Sequence, residues 1–113
     1  MIVLLTNDLM FQSRISGAVK AAGKSILVQR AVESASSRID SPETVEMVLI
    51  DLSLSLELAT AVPAIRLAFP KSRILAYGAH VDVDRLAEAE TAGVDQVLTR
   101  GQLDRDLNAI VSS

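Results

Sequence analysis

One acidic residue directly follows the most apolar run of the chain. Residues 47–50 are all apolar, and Asp51 stands at the end of the strand that they predict. Aspartate is seldom buried and is depleted in strands, so its presence there needs a reason. The carboxylate either caps the exit of the strand or takes part in chemistry.

Polar residues also follow other apolar runs. The polar ones are Thr6, Asn7, Asp8, His80 and Arg100, and Gly78 also stands at such a strand end. In a doubly wound parallel sheet, ligands bind beyond the carboxyl ends of the strands. We therefore expect the carboxylates of Asp8 and Asp51, one imidazole and one guanidinium to share one edge. Because the fold alone produces this convergence, the residue types decide what the edge can do.

The elements that position these residues alternate regularly. Strands are predicted over residues 2–5, 25–29, 45–50, 73–77 and 96–99, each followed by a helical segment. The third helical segment, residues 56–70, contains Pro63, which either opens the helix or kinks a longer one. Five strand–helix alternations predict a three-layer α/β domain with a parallel sheet. Residues 1–113 are predicted to form this single domain.

Composition excludes several classes of function. Half of the 113 residues are apolar but only 3% are aromatic, so aromatic stacking platforms for nucleic acid are missing, and the basic residues are scattered. The absence of cysteine excludes disulfides and thiolate metal sites, and fits a reducing cytoplasm. No apolar run approaches the roughly 18 residues that a membrane span needs. No motif for nucleophilic hydrolysis is present, so we predict a cytoplasmic protein that is not an enzyme.

Four segments, in order, carry a family resemblance. They are "IVLLTND", "VLIDLSL", "ILAYGAHVD" and "AGVDQVLTRG". Over its whole length the chain resembles the receiver domain of bacterial two-component response regulators. The resemblance implies a flavodoxin-like sheet with strand order 2-1-3-4-5 and a phosphoryl-accepting aspartate at Asp51.

The resemblance also implies the partners of that aspartate. In the family, a divalent metal is held by an acidic pair after strand one, by the acceptor aspartate and by a backbone carbonyl two residues later, here that of Ser53. A hydroxyl ending strand four and a lysine ending strand five contact the phosphoryl oxygens. Family members transmit the modification through the face of helix four, strand five and helix five.

This sequence departs from the family at most supporting positions. Thr6 and Asn7 replace the acidic pair, Gly78 replaces the hydroxyl residue, and Arg100 replaces the lysine. Asp8 comes one residue late and is predicted to cap the first helix instead of binding metal. The pattern is that of an atypical receiver, or pseudo-receiver. We expect no metal or cofactor; any magnesium would bind weakly, through Asp8, Asp51 and the Ser53 carbonyl.

The remaining polar positions admit more than one interpretation. Arg100 could pair directly with Asp51 and hold the site in one state. Tyr77 is expected to face away from the site, because side chains alternate along a strand. His80 could be a phosphoacceptor, a metal ligand or a proton relay, but a lone histidine after a strand is more often a solvated rim residue.

The sequence favours a stand-alone signalling module that acts by protein–protein contact, independently of phosphorylation. Its partner would be another protein or a second copy, docked on the face of helix four, strand five and helix five. Charges of alternating sign are predicted to line that face: Arg85, Glu88, Asp104 and Arg105. The alternatives are a receiver that accepts a phosphoryl group on Asp51 from a histidine kinase and, less favoured, a flavodoxin-like module for a small ligand. Neither nucleic acid nor a membrane is an expected partner.

Overall fold

Five parallel strands form the central sheet. The computed structural model describes all residues from Met1 to Ser113. Its strands are β1 (Ile2–Leu5), β2 (Ile26–Gln29), β3 (Met47–Asp51), β4 (Arg73–Gly78) and β5 (Gln96–Thr99). They lie in the order β2-β1-β3-β4-β5, and every neighbouring pair is parallel. The predicted flavodoxin-like order is confirmed.

Helices follow each strand. They are α1 (Leu9–Ala21), α2 (Val32–Ser37), α3 (Leu58–Ala68), α4 (Val83–Ala92), α5 (Arg100–Arg105) and α6 (Leu107–Ser112). Pro63 lies inside α3, so of the two alternatives the longer helix that continues through the proline is the one observed. One detail differs from the prediction: the last helical segment is divided at Asp106 into α5 and α6. None of these helices has the length and apolar character needed to cross a membrane.

The sheet separates two hydrophobic layers. In β3, Val48 and Ile50 pack on the side of α2, α3 and α4, whereas Met47 and Leu49 pack on the side of α1, α5 and α6. Side chains alternate between the faces of a strand. Asp51 therefore belongs to the face that α1 and α5 cover, with Thr6 beside it at the end of β1.

Polar caps fix the helices that begin at the site edge. Asp8 accepts hydrogen bonds from the backbone N–H groups of Met10 and Phe11, both at 3.1 Å. This confirms the predicted N-cap and turns the Asp8 side chain toward α1.

At the far end of α4, Gly93 adopts φ 91°, a left-handed conformation that ends helices readily when the residue is glycine.

Asp95 links β4 to the turn before β5. Its Oδ2 accepts a hydrogen bond from the Ile74 N–H at 2.8 Å, and the Arg66 guanidinium contacts its Oδ1 at 3.1 Å. The hydrogen bond from Arg66 is the main cause that lowers the pKa of Asp95. A carboxyl group whose pKa is lowered in the folded state stabilises the fold at pH values above its unfolded-state pKa. This stabilisation is lost as the pH falls through the folded-state pKa.

We predict that Asp95→Asn lowers the free energy of unfolding by about 0.5 kcal/mol at neutral pH, a small effect because the ion pair is partly solvated. The difference from wild type should shrink below a pH of about 4, where unfolded aspartate is protonated. Urea unfolding at several pH values measures it. Asp40→Asn, at an exposed position, is the matched control and should show no comparable pH-dependent difference.

Candidate functional site

The Asp51 carboxylate is fully buried and hydrogen-bonded within the chain. Its side chain is 0% exposed. Oδ2 accepts a hydrogen bond from the Thr6 hydroxyl at 2.6 Å. Oδ1 accepts two more from Ser53, from its N–H at 2.9 Å and its hydroxyl at 2.7 Å. Hydrogen bonds to an ionised acceptor are strong, so three such donors hold the carboxylate in one orientation.

Thr6 occupies the position where the resembling family has an acidic residue, and it acts as a hydrogen-bond donor to Asp51. It is buried, and its Oγ1 accepts a hydrogen bond from the Asp8 N–H at 3.0 Å while its own O–H points to Asp51. Asn7, the next residue, is exposed. The loop after β1 therefore presents a hydrogen-bond donor to Asp51 instead of further negative charge.

The side chains present do not fit a magnesium site. Magnesium prefers octahedral oxygen ligands and is usually held by one or two carboxylates. No cluster of three or more His, Cys, Asp or Glu side chains is placed to hold a metal ion. Asp8 faces the α1 amides, and both Asp51 oxygens already accept hydrogen bonds from Thr6 and Ser53.

Arg100 lies near Asp51 but does not pair tightly with it. Its terminal nitrogen is 4.0 Å from Asp51 Oδ1, and its side chain is 42% exposed. The guanidinium also stands over the Phe11 ring, 5.7 Å from the ring centroid, an arrangement typical of a cation–π contact. The predicted pairing is thus a long ion pair at the edge of the site.

Tyr77 lies on the Asp51 side of the sheet, contrary to the expectation from the sequence. As expected, the Tyr77 side chain points to the face of the sheet opposite Gly78. That face is the one that carries Asp51, which pairs with Tyr77 in the register of β3 and β4. Burial raises the pKa of the Tyr77 hydroxyl, and the negative charge of Asp51 raises it further. The hydroxyl therefore stays protonated. The side of the sheet on which Tyr77 lies follows from the parallel register of β3 and β4, which sets Tyr77 beside Asp51.

The space beside Gly78 is filled by leucine side chains. A Cβ added at Gly78 would meet Leu52 at 3.2 Å and Leu86 at 3.6 Å. The first contact is closer than ordinary van der Waals packing, so Leu52 would have to shift by a few tenths of an ångström to admit a serine or threonine. The position that carries a hydroxyl in the resembling family here lies against the apolar side chains of Leu52, just after β3, and Leu86 of α4.

Arg85 in α4 holds the loop that follows Asp51, a role that sequence reasoning missed. Its Nε donates to the Leu52 carbonyl at 3.0 Å, and one terminal nitrogen donates to the carbonyls of Leu54 at 2.9 Å and Leu56 at 2.7 Å. The other terminal nitrogen pairs with Glu88 at 2.9 Å. The side chain is only 17% exposed. Arg85 therefore fastens α4 to residues 52–56.

The predicted row of alternating surface charges is wrong in its details. Arg85 is turned inward, and Asp104 is paired with Arg14 of α1. Arg105 pairs with its neighbour Asp106 at 3.3 Å. These charges are matched inside the chain, so they do not form the free, alternating set expected for a symmetric dimer.

His80 is an exposed residue of the turn between β4 and α4. The structure brings Thr6, Asp51, Ser53 and Tyr77 together and places Arg100 at their edge. It leaves Asn7 and His80 in solvent, and it commits Asp8 to capping. The assembled site is a buried carboxylate surrounded by neutral hydrogen-bond donors, with one cation at a distance.

Comparison with known proteins identifies the fold. No protein-family model matches the sequence, and no curated protein matches it. Solved structures do match: a response regulator from Thermotoga maritima is 18% identical with a TM-score of 0.74, over 99% of this chain and 97% of that one. The receiver domain of the sensor histidine kinase PA1611 from Pseudomonas aeruginosa, solved with magnesium in its active-site cleft, is 19% identical with a TM-score of 0.75, over 97% and 92%.

A protein assigned to pilus assembly, CpaE from Burkholderia thailandensis, is also similar. It is 21% identical with a TM-score of 0.68, over 99% of this chain and 98% of that one. The chain therefore has the fold of response-regulator receiver domains along nearly its whole length.

Proposed function

We propose that this receiver-fold chain is a cytoplasmic signalling module that acts by binding a protein, either another protein or a second copy, without phosphorylation of Asp51. It works through contact and not as an enzyme, and it needs no cofactor. The observation that carries the proposal is the set of three hydrogen bonds from Thr6 and Ser53 to the two Asp51 oxygens.

Those hydrogen bonds oppose phosphoryl transfer to Asp51. An accepting oxygen needs a free lone pair in line with the phosphorus, and the charge on the equatorial oxygens must be neutralised. Here Oδ1 accepts two hydrogen bonds, which occupy its lone pairs, and Oδ2 accepts one from Thr6, which lowers its nucleophilicity. The donor set also does not fit magnesium. Gly78 offers no hydroxyl, and Arg100, at 4.0 Å, is the only cation that contacts Asp51. The site is organised to hold a carboxylate and lacks the groups that stabilise a phosphoryl group.

One observation favours the alternative, a receiver that accepts a phosphoryl group from a histidine kinase. An acceptor aspartate and a cation at the end of β5 are both retained. For this function Thr6 and Ser53 would have to turn away from Asp51, and Asp8 would have to leave its capping position. Each change breaks hydrogen bonds that the structure shows.

Magnesium and beryllofluoride, a phosphoryl mimic, distinguish the two functions. We predict that millimolar magnesium with beryllofluoride leaves the amide NMR signals of residues 51–53 and 78 unchanged, because the site lacks the oxygen ligands that the metal needs. Magnesium alone and the Asp51→Asn variant are the controls. Signal shifts around Asp51 that require beryllofluoride and are lost in Asp51→Asn would establish the phosphorylation-competent alternative.

A further inference from the structure

A groove runs between α3 and α4, beside the loop that Arg85 holds. It encloses about 700 Å³. Its apolar lining comes from that loop, from the first turn of α3 and from one side of α4: Leu56, Leu58, Ala59, Ala87 and Ala92. Small alanine side chains on both helices leave the groove open, so apolar anchors of another chain can enter it.

Acidic side chains stand around this apolar lining. Glu57, Asp84 and Glu88 line the groove and are all exposed. Neither Glu57 nor Asp84 takes part in an ion pair, and the only basic side chain of the lining, Arg85, is turned to the loop carbonyls and Glu88. The rim is therefore negative, with no free cation to balance it.

The groove continues along the two helices. A second depression of about 530 Å³ shares Ala92 with the first and extends to Leu67 near the end of α3. Its one basic lining residue, Arg66, is paired with Asp95 at 3.1 Å. The Leu67 side chain is 86% exposed, although leucine is usually buried. From Glu57 to Leu67 the α3 backbone spans about 15 Å, at 1.5 Å per residue. That length accommodates about ten residues of a helix.

The walls of the groove are fixed before anything binds. Arg85 joins α4 to the loop that leads into α3 through three carbonyls. Leu86, the next residue, packs toward the space beside Gly78. Preorganised walls reduce the entropy lost on binding, so a modest apolar contact can suffice for association.

We propose that this α3–α4 groove is the docking surface for an amphipathic helical segment of a protein partner, with apolar anchors flanked by lysine or arginine. Helices bind grooves through anchors at i, i+3 or i+4, and i+7, and opposite charges at the rim provide orientation. The proposal rests on the proposed function as a protein-binding module. It places the surface on α3 and α4, away from the face of α4, β5 and α5 expected from the family resemblance.

A synthetic peptide tests the surface. The probe is a helical peptide of about 14 residues with leucines at i, i+3, i+4 and i+7 and flanking lysines. A second peptide carries glutamate in place of each lysine. Amide NMR titration of the full chain should show shifts along residues 56–67 and 84–92 with the lysine peptide, and none with the glutamate peptide.

Charge-reversal variants make the test specific to the groove. Combined Glu57→Lys and Asp84→Lys should weaken binding of the lysine peptide by at least about threefold, since two attractive rim charges are replaced by repulsive ones. Glu90→Lys makes the same charge change on α4 outside the groove lining and should leave the affinity unchanged.

Three results would overturn the docking proposal: no shifts at millimolar peptide, shifts centred on another face, or equal weakening by Glu90→Lys. Concentration-dependent signal changes on α3 and α4 without peptide would instead identify a second copy as the occupant. The beryllofluoride experiment remains separate. Shifts around Asp51 there would remove the proposed function, whereas failure of the peptide alone would remove only this docking surface.

Discussion

Replacing Arg85 with glutamine should lower the free energy of unfolding by about 2–3 kcal/mol, a large effect for a residue whose side-chain hydrogen bonds go only to a loop and to its own helix. The guanidinium donates to three carbonyls of the loop after Asp51 and to Glu88. Hydrogen bonds that involve a charged group contribute about 1.5–3 kcal/mol each, and the freed carbonyls recover part of this by binding water. The net loss is therefore smaller than the sum of the separate bonds.

Chemical denaturation measures this loss, and two variants separate its causes. Glu88→Gln removes only an exposed ion pair and should cost less than about 0.5 kcal/mol. Arg85→Lys keeps the charge but loses the planar fork that reaches several carbonyls at once, so it should fall between wild type and Arg85→Gln. Amide hydrogen exchange of residues 52–57 should accelerate in Arg85→Gln. Equal stability of Arg85→Gln and Glu88→Gln would contradict the assigned role.

The overall fold was predictable because the apolar runs are short, aliphatic and evenly spaced. A parallel strand buried on both faces reads as a continuous apolar run, and residues 47–50 show this pattern clearly. The ends of strands were harder to predict where the residue after the last apolar side chain still pairs with the neighbouring strand. Asp51 belongs to β3 and Gly78 to β4, because backbone pairing continues past the last apolar side chain.

The candidate site was only partly predictable from the sequence. The position of Asp51 follows from residue types at strand ends, and the absence of an acidic pair at Thr6 and Asn7 follows from the family resemblance. The direction of the Thr6 hydroxyl does not, since a hydroxyl can donate or accept and its partner depends on three-dimensional placement. The contacts of Arg85 were equally hidden. Its carbonyl partners are backbone atoms, whose positions are set by the loop conformation and not by the identity of the side chains.

The loop of residues 52–56 connects the Asp51 site with the groove. Ser53 donates to Asp51, and its neighbours Leu52 and Leu54 accept from Arg85. One short loop therefore holds both the carboxylate and the wall of α4. In this chain α4 is fastened to the backbone of the loop by Arg85, and residue 78 carries no hydroxyl that could contribute.

Restoring the acidic pair, by Thr6→Asp with Asn7→Asp, should destabilise the chain by about 3 kcal/mol when no divalent cation is present. Residue 6 is buried, and its side chain contacts Asp51 Oδ2 at 2.6 Å. A carboxylate there replaces a hydrogen-bond donor with a like charge, and an uncompensated buried charge costs about 3–5 kcal/mol. Partial protonation of the pair reduces that cost.

Magnesium should then stabilise the double variant strongly and wild type hardly at all. A ligand that binds only the folded state adds about 2.7 kcal/mol at a concentration one hundred times its Kd, enough to offset most of the loss. Thermal unfolding with and without magnesium measures the difference. Thr6→Val, which removes the hydroxyl without adding charge, should be destabilised but unresponsive to magnesium. Asn7→Asp alone, at an exposed position, should change stability little. Equal stabilisation of wild type and the double variant by magnesium would show that the natural residues already hold the ion, and that Thr6 does not exclude it.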